Sequence, residues 1–407
     1  GIVAWAARKL GRPVKWTAVR TEAFVSDYQG RDLHVEAELA LDLTGRFIGL
    51  RASLTSNVGA HTVSFVPLNK SSELLSSVYD IPAAWVRSRA VLSNTASTAP
   101  YRSAGRPEAM FIMERLIDRA AREFGFDPVE LRRRNVVRDG AMPYKNPLGL
   151  TYDSGTFGRA METALEMGDW AGYPARRAAA TRRGKLSGIG VANYIEVTSG
   201  FPVERAEITV RSDRRVDVVI GTTPSGQGHE TSFAQCVADW LGVPFDSIRL
   251  ITGDTDIVKE GGGSHSARSM RMAGIVMGKA SEMIVDKGRQ IAAYMLEAAV
   301  SDIEFAKGRF AIKGTDRSVG IFDVASAAET RTDLPDGMRG PLGAAHQELM
   351  KVPGFPYGAQ VCEVEIDPDT GTLEIVRHSA VDDVGRAINP LILHGQAHGG
   401  IVQAAGQ

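Results

Sequence analysis

Three times along this chain a run of alternating polar and apolar residues turns on a short Gly- or Asp-bearing loop and alternates back. His34 to Leu43 turns at Thr44-Gly45 into Arg46 to Ser53, and Arg205 to Arg211 turns at Ser212-Asp213 into Arg215 to Gly221. Val361 to Asp367 turns at Pro368-Asp369-Thr370-Gly371 into Thr372 to Val381. A side-chain period of two sends successive residues to opposite faces of a sheet, and so short a turn lays the second strand antiparallel to the first. Each hairpin therefore carries one apolar face that needs a cover.

Helices are the cover the sequence supplies. Pro107 to Phe124 carries Ala109, Phe111, Ile112, Leu116, Ile117, Ala120 and Phe124, with proline in its first turn. Asp127-Pro128 opens a short helix from Val129 to Asn135, and Glu230 to Leu241 and Met272 to Ala298 are further helices. Hairpins and helices mix without regular β–α alternation, so the expected fold is α+β, not a doubly wound parallel sheet. A chain of 407 residues, 43% of them hydrophobic, exceeds one ordinary domain. The Arg- and Ala-rich stretch from Gly168 to Lys185 reads as a surface helix between two lobes, placed at 1–170 and 171–407. Each lobe has hairpins followed by a glycine-rich loop and a helix.

With 47 basic and 48 acidic side chains, no segment reads as a nucleic-acid surface. The apolar runs fall short of a membrane span, and a cytoplasmic protein is the expectation. Cys236 and Cys362 stand alone, without a C-x-x-C partner, and read as core thiols; they make neither an iron–sulfur nor a zinc site. The sequence opens inside a helical pattern, Ile2 to Leu10, with neither initiator methionine nor cap, and its last residues to Gln407 again read as helix. The expectation is a chain that continues past both ends.

Three glycine-rich segments precede helices. Pro100 to Glu108 holds Arg102, Ser103 and Ala104 before a helix whose free N–H groups favour an anion; a plain strand-to-helix connection stays open. Gly221 to Thr231 sets Gln227 between Gly226 and Gly228, where its amide can donate and accept. It is neither a P-loop nor a dinucleotide fingerprint. Gly261 to Ser269 packs hydroxyls, backbone N–H groups and Arg268 into nine positions, a composition suited to phosphate, with a flexible loop the alternative. His394 and His398 share a helix face but lack a third metal ligand. His61, His229 and His265 fall in loops with no nucleophile paired to them, and Asp382 and Asp383 would face opposite sides of a strand.

Taken in order, these segments resemble the large subunit of molybdenum hydroxylases, the family of xanthine dehydrogenase, aldehyde oxidase and aerobic carbon-monoxide dehydrogenase. The motifs are Arg12-Pro13-Val14-Lys15-Trp16 with Arg20 and Glu22, Asn57-Val58-Gly59-Ala60, Tyr101 to Glu108, Gly226-Gln227-Gly228 with Thr231, and Gly253-Asp254-Thr255. Ser264 to Ser269, Val381 to Gly385, Asn389-Pro390, and Gly395-Gln396 with Gln403 complete the set. The resemblance implies α+β lobes clasping molybdopterin cytosine dinucleotide with molybdenum. It implies partner subunits carrying a 2Fe-2S cluster and FAD, assembled as a dimer of heterotrimers. It gives Gln227 a hydrogen bond near the metal's oxo group and has backbone N–H groups around Arg102 face the metal's oxygen ligands. Ser266, Arg268, Ser269, Gln396 and Gln403, with Gly226, Gly228 and Thr231, would hold the pterin and its phosphates.

Two departures bear on substrate. Members that oxidise carbon monoxide carry a copper-binding cysteine where this chain has Ser103, and xanthine dehydrogenases carry a phenylalanine near Ala104. The resemblance therefore implies base-assisted hydroxylation of an aldehyde or N-heterocycle, with water as the oxygen source. In the family a metal-adjacent loop lies upstream of Gly1 and the general-base glutamate downstream of Gln407. No catalytic residue or metal ligand is assigned within this chain. An inactive homologue, carbon-monoxide dehydrogenase proper and a generic anion-binding protein are the rival readings.

Overall fold

The structure, a computed structural model, describes residues 1–407. Its elements begin with α1 (Ile2–Leu10), α2 (Arg20–Ser26), β1 (Leu33–Leu41), β2 (Phe47–Asn57), α3 (Val66–Glu73) and β3 (Ala84–Val91). There follow α4 (Arg106–Phe124), α5 (Pro128–Asn135), β4 (Tyr144–Lys145), β5 (Thr151–Tyr152), α6 (Phe157–Met167), α7 (Tyr173–Arg182) and β6 (Leu186–Ile195). Next are β7 (Val203–Val210), β8 (Val216–Ile220), α8 (His229–Leu241), β9 (Ile248–Ile251) and α9 (Ser269–Leu296). The chain continues through β10 (Ile303–Ala306), β11 (Arg309–Ile312), β12 (Ser318–Gly320), α10 (Ile321–Thr330) and β13 (Leu342–Leu349). It closes with β14 (Tyr357–Ile366), β15 (Leu373–Asp383) and α11 (Pro390–Ala405). The fold is α+β, and no helix is long and apolar enough to cross a membrane.

Two compact units form, and both are discontinuous in sequence: residues 1–196 with 355–383, and residues 197–354 with 384–407.

In the first unit two of the expected hairpins and two of the expected helices form. The β1–β2 hairpin sets Ala37 opposite Ala52, and its turn closes because Asp42 Oδ1 accepts from the backbone of Thr44 and Arg46 at 2.8 and 2.9 Å. Helix α4 starts after Gly105 and ends at Gly125, both left-handed, and buries Ala109, Met113 and Ile117. Helix α5 starts where Asp127 accepts from the N–H groups of Val129 and Glu130, each at 2.8 Å. A second sheet has β14 at its centre, antiparallel to β15 on one side and β6 on the other. Met161, Ala164 and Leu165 of α6 pack on Val191, Ala359 and Val361. Helix α7, expected to lie between two lobes, belongs to this unit. Arg176 pairs with Glu363 of β14 at 2.8 Å, and just beyond the helix Lys185 pairs with Asp367 at 2.5 Å. Buried Glu114 accepts from Arg132 at 2.7 Å and from Tyr79 at 2.6 Å, which joins α4 to α5.

The second unit centres on a four-stranded sheet in the order β13, β7, β8, β9. Helix α9 covers it with Ala273, Met277, Ala280, Ile284 and Ile291, a three- and four-residue spacing that lines one face. These side chains pack with Ile208, Val210, Val216, Val218 and Ile220 of the sheet. Strands β8 and β9 are parallel, Val216 opposite Ile248 and Val219 opposite Ile251, so their carboxyl ends lie at the same edge. From that edge each strand runs into a glycine-rich segment and then into a helix, α8 or α9.

Candidate functional site

Parallel pairing of β8 and β9 brings two of the glycine-rich loops together. They touch at Gly221 and Gly261, where a Cβ on either glycine would fall 2.2 Å from the other's Cα. Only glycine permits that approach. Hydroxyls bridge the loops further: Thr222 Oγ1 donates to Ser269 Oγ at 2.8 Å, and Ser264 Oγ lies 2.7 Å from Ser269 Oγ. His229, the first residue of α8, completes the set. Its Nδ1 lies 3.0 Å from the Thr222 carbonyl and its Nε2 3.5 Å from Ser264 Oγ.

The donors in this ring can be assigned by elimination. A carbonyl only accepts, so His229 Nδ1 carries the proton and the neutral ring's Nε2 accepts. Ser264 then donates to Nε2, Ser269 to Ser264, and Thr222 to Ser269. Burial lowers the His229 pKa from its ordinary value, which favours the neutral ring, and Phe233 stacks on it with centroids 4.5 Å apart.

Gln227 sits between two left-handed glycines, Gly226 at φ 97° and Gly228 at φ 71°. Its Oε1 accepts from the Ser225 N–H, which orients the amide and leaves both N–H bonds of Nε2 without a partner in the chain. Thr231 is exposed in the first turn of α8. A Cβ on Gly228 would meet Ile392 of α11 at 2.8 Å, so α11 packs against this loop. Asn389 caps α11 by accepting from Ile392 N at 3.1 Å and donates to Gln235 of α8 at 2.8 Å. Gln396 and Gln403 lie two turns apart on α11, both exposed.

The Gly261–Ser269 loop is moulded from below. Arg268, expected to bind phosphate, is fully buried and pairs with fully buried Glu204 at 2.7 Å. Its remaining donors go to the carbonyls of Phe201, Val203 and Gly263 at 2.8, 2.8 and 2.7 Å. Its guanidinium is spent on the fold, so its part is to shape the loop. Glu204 also accepts from Gly262 N at 3.2 Å. Glu204 lies outside the three glycine-rich segments, and its one signal in the sequence is an acidic residue in phase with Ala206, Ile208 and Val210, all buried, on one strand. Ser266 and Ala267 are consecutive left-handed residues at φ 54° and 56°, a conformation costing about 1–2 kcal/mol each without glycine. Ser266 O accepts from Ser199 N at 3.0 Å, which holds that turn.

In the first unit, Ala104 N donates to Tyr101 O at 2.5 Å, and Ala104 and Gly105 are left-handed at φ 34° and 88°. A Cβ on Gly105 would lie 2.0 Å from the Pro67 carbonyl oxygen. Arg106 pairs with Glu196 and donates to Ser103 O at 3.1 Å, and Ser71 donates to Gly105 O at 2.8 Å. Burial lowers the Arg106 pKa, against the opposing pull of Glu196. Arg102 is exposed, Ser103 half-buried and Ala104 buried. Elsewhere, Asp382 and Asp383 accept from separate tyrosines, Tyr194 at 2.7 Å and Tyr357 at 2.8 Å.

Residues 221–229 and 261–269 contain no acidic side chain, and they gather hydroxyls, backbone N–H groups and an oriented amide at the starts of two helices. That donor set fits an anionic cofactor. The unit is thus of the cofactor-binding class. Residues 163–407 match the family model described as molybdopterin cofactor-binding domain, and residues 1–136 match a second model of the same description. The chain belongs to the molybdopterin-binding domains of the xanthine dehydrogenase and carbon-monoxide dehydrogenase family. It is 33% identical, over its whole length, to 52% of the 6-hydroxypseudooxynicotine dehydrogenase complex subunit gamma of Paenarthrobacter nicotinovorans. It is also 33% identical to the carbon monoxide dehydrogenase large chain of Hydrogenophaga pseudoflava, with 97% of this chain and 51% of that one aligned. The structure of quinoline 2-oxidoreductase from Pseudomonas putida 86 superposes with a TM-score of 0.93 at 32% identity, covering all of this chain and 54% of that one. The chain spans about half the length of the curated relatives it matches.

Proposed function

We propose that this chain holds the molybdenum cofactor in the large subunit of a hydroxylase acting on an aldehyde or N-heterocycle. The observation that carries the reading is Gln227: its carbonyl is tied down by Ser225, and its amide N–H groups remain to donate beside two acid-free loops. When bound, the cofactor accepts two electrons from the substrate and delivers an oxygen atom taken from water. Gln227 would donate toward an oxygen ligand of the metal. Backbone N–H groups around Arg102 would do the same, while Ser103 and Ala104 would line the substrate side. Ser266, Ser269, Thr231, Gln396 and Gln403 would hold the pterin and phosphates, with Gly226 and Gly228 giving the backbone room. The His229 ring of hydrogen bonds keeps both loops in register, so the donors are in place before a ligand arrives.

The cytosine dinucleotide form, iron–sulfur and FAD partner subunits in a dimer of heterotrimers, and a cytoplasmic setting belong to the same proposal. Two separate cysteines cannot ligate a cluster by themselves, so a cluster serving this site would be held by residues other than these. The names of the Paenarthrobacter and Pseudomonas relatives support a nitrogen heterocycle. Ser103, standing where carbon-monoxide-oxidising members carry cysteine, weighs against carbon monoxide. The test is a dye-reduction screen of aldehydes and N-heterocycles with the assembled complex, alongside its metal content. The expected result is about one molybdenum per large subunit and heterocycle-driven reduction. Activity in a metal-free preparation overturns the reading, and reduction driven by carbon monoxide overturns the argument from Ser103.

A further inference from the structure

Arg31 is absorbed by none of the motifs, yet it makes three contacts to the loop that carries Ser103 and Ala104. Its Nη2 donates to the Arg102 carbonyl, and its Nη1 pairs with Glu108 Oε2 at 3.1 Å, so one planar fork grips the loop where it enters and where it leaves. The guanidinium carbon also lies 5.0 Å from the Tyr101 ring centroid. Both partners of the ion pair are largely sheltered, with side-chain exposures of 20% for Arg31 and 13% for Glu108.

The backbone beneath Arg31 is arranged for this. Gln29 bridges the segment leading into the loop, donating to Ser97 O at 3.0 Å and accepting from Ala99 N at 2.9 Å. Gly30 follows because a Cβ there would fall 2.9 Å from Tyr101 Cβ. Arg31 itself is left-handed at φ 56°, a conformation that costs about 1–3 kcal/mol in a residue other than glycine and persists where the surroundings hold it. A cavity of about 10 Å³ lined by Arg31, Asp32, Ser56, Ser71, Thr98 and Glu108 adjoins it. Arg31 Nε is buried without a partner in the chain, and the adjoining space suits one water molecule that would accept from it.

We infer that Arg31 is the positioning residue of the 101–105 loop: it sets the loop's ends at a fixed separation and so aims the groups around Arg102, Ser103 and Ala104. The inference rests on the reading of that loop as the one beside the cofactor and substrate, and its test does not depend on activity. Hydrogen exchange followed by mass spectrometry on the full-length subunit reads the loop directly. Arg31→Asn, whose new side chain tolerates a left-handed backbone, speeds exchange of amides 101–105 by at least about tenfold and leaves β14 amides 359–363 unchanged. Arg31→Lys keeps the ion pair with Glu108 and recovers the protection of 101–105 only in part, because an ammonium group cannot serve both ends as a fork does. Glu108→Gln, a smaller change, speeds the same loop to a lesser degree. Wild-type exchange at 101–105 in both Arg31→Asn and Glu108→Gln, or acceleration equal to that at 359–363, overturns the proposal. Molybdenum content of the same wild-type preparation tests the cofactor reading separately. A metal-free result counts against that reading alone and leaves the exchange comparison intact.

Discussion

At the scale of single residues, the second unit depends on His229 being neutral, and this makes a pH prediction with a definite sign. Burial holds the folded ring's pKa below the ordinary 6.5. As pH falls through that value the unfolded chain takes up a proton before the folded one does, so stability is lost below it and is constant above it. The unfolding temperature of the subunit is expected to stay level from about pH 8 to about 7 and to fall as the pH drops further. His229→Asn keeps a donor for the Thr222 carbonyl and removes the titrating ring, so it should flatten part of that slope in calorimetric scans. Half-buried His378, whose pKa is lowered for the same reason, keeps part of the slope. An unchanged slope in the variant would refute the assignment of the ring. His229 was visible in the sequence as a loop histidine, and its neutrality was not, because that follows from Thr222, Ser264 and Phe233 closing around it. Arg268 shows the same limit: an arginine beside glycines and serines reads as a phosphate ligand until Glu204 is found beneath it.

At the scale of elements, helix α9 holds two glycines whose replacement should have opposite effects. A Cβ at Gly288 would lie 2.4 Å from Phe310 Cζ, and Phe310 is already packed on Phe305 with centroids 4.6 Å apart. Overfilling such a site costs about 1–3 kcal/mol, against about 1 kcal/mol returned by the better helix former. Gly288→Ala is therefore expected to lower stability by up to about 2 kcal/mol in chemical denaturation. Gly274 has nothing within 4 Å of an added Cβ, and Gly274→Ala should raise stability by up to about 1 kcal/mol. Equal signs for the two variants would refute the packing argument. The helix was legible from its apolar spacing, with ends two to three residues away from those expected. The sign at each glycine was not, because it depends on a strand that follows the helix in sequence.

At the scale of the whole molecule, the hairpin of β14 and β15 leaves its sequence neighbours and completes the sheet begun by β6. Glu196 N donates to Pro356 O at 2.7 Å, so the two segments meet where they join. Residues 1–196 tied to 355–383 by a short Gly/Ser linker are expected to unfold cooperatively and to show a near-ultraviolet dichroism signal. Residues 1–196 alone, with β6 unpaired and Val191 uncovered, should show neither. A cooperative transition in the shorter piece would overturn the division into units. What the sequence by itself determined is the inventory: strands with alternating faces, helices with one apolar stripe, glycine loops before helices, and an order of motifs that marks the family. Period and turn chemistry depend on a residue and its near neighbours, so they can be read along the chain. Tertiary structure alone decided the partners: β14 between β6 and β15, Gly221 against Gly261, Arg268 on Glu204, and Arg31 across the 101–108 loop. Such pairings join residues tens to more than a hundred positions apart. They are selected by which closures bury apolar faces while leaving most buried charges and hydrogen-bonding groups a partner, a condition on the folded whole that no local pattern contains.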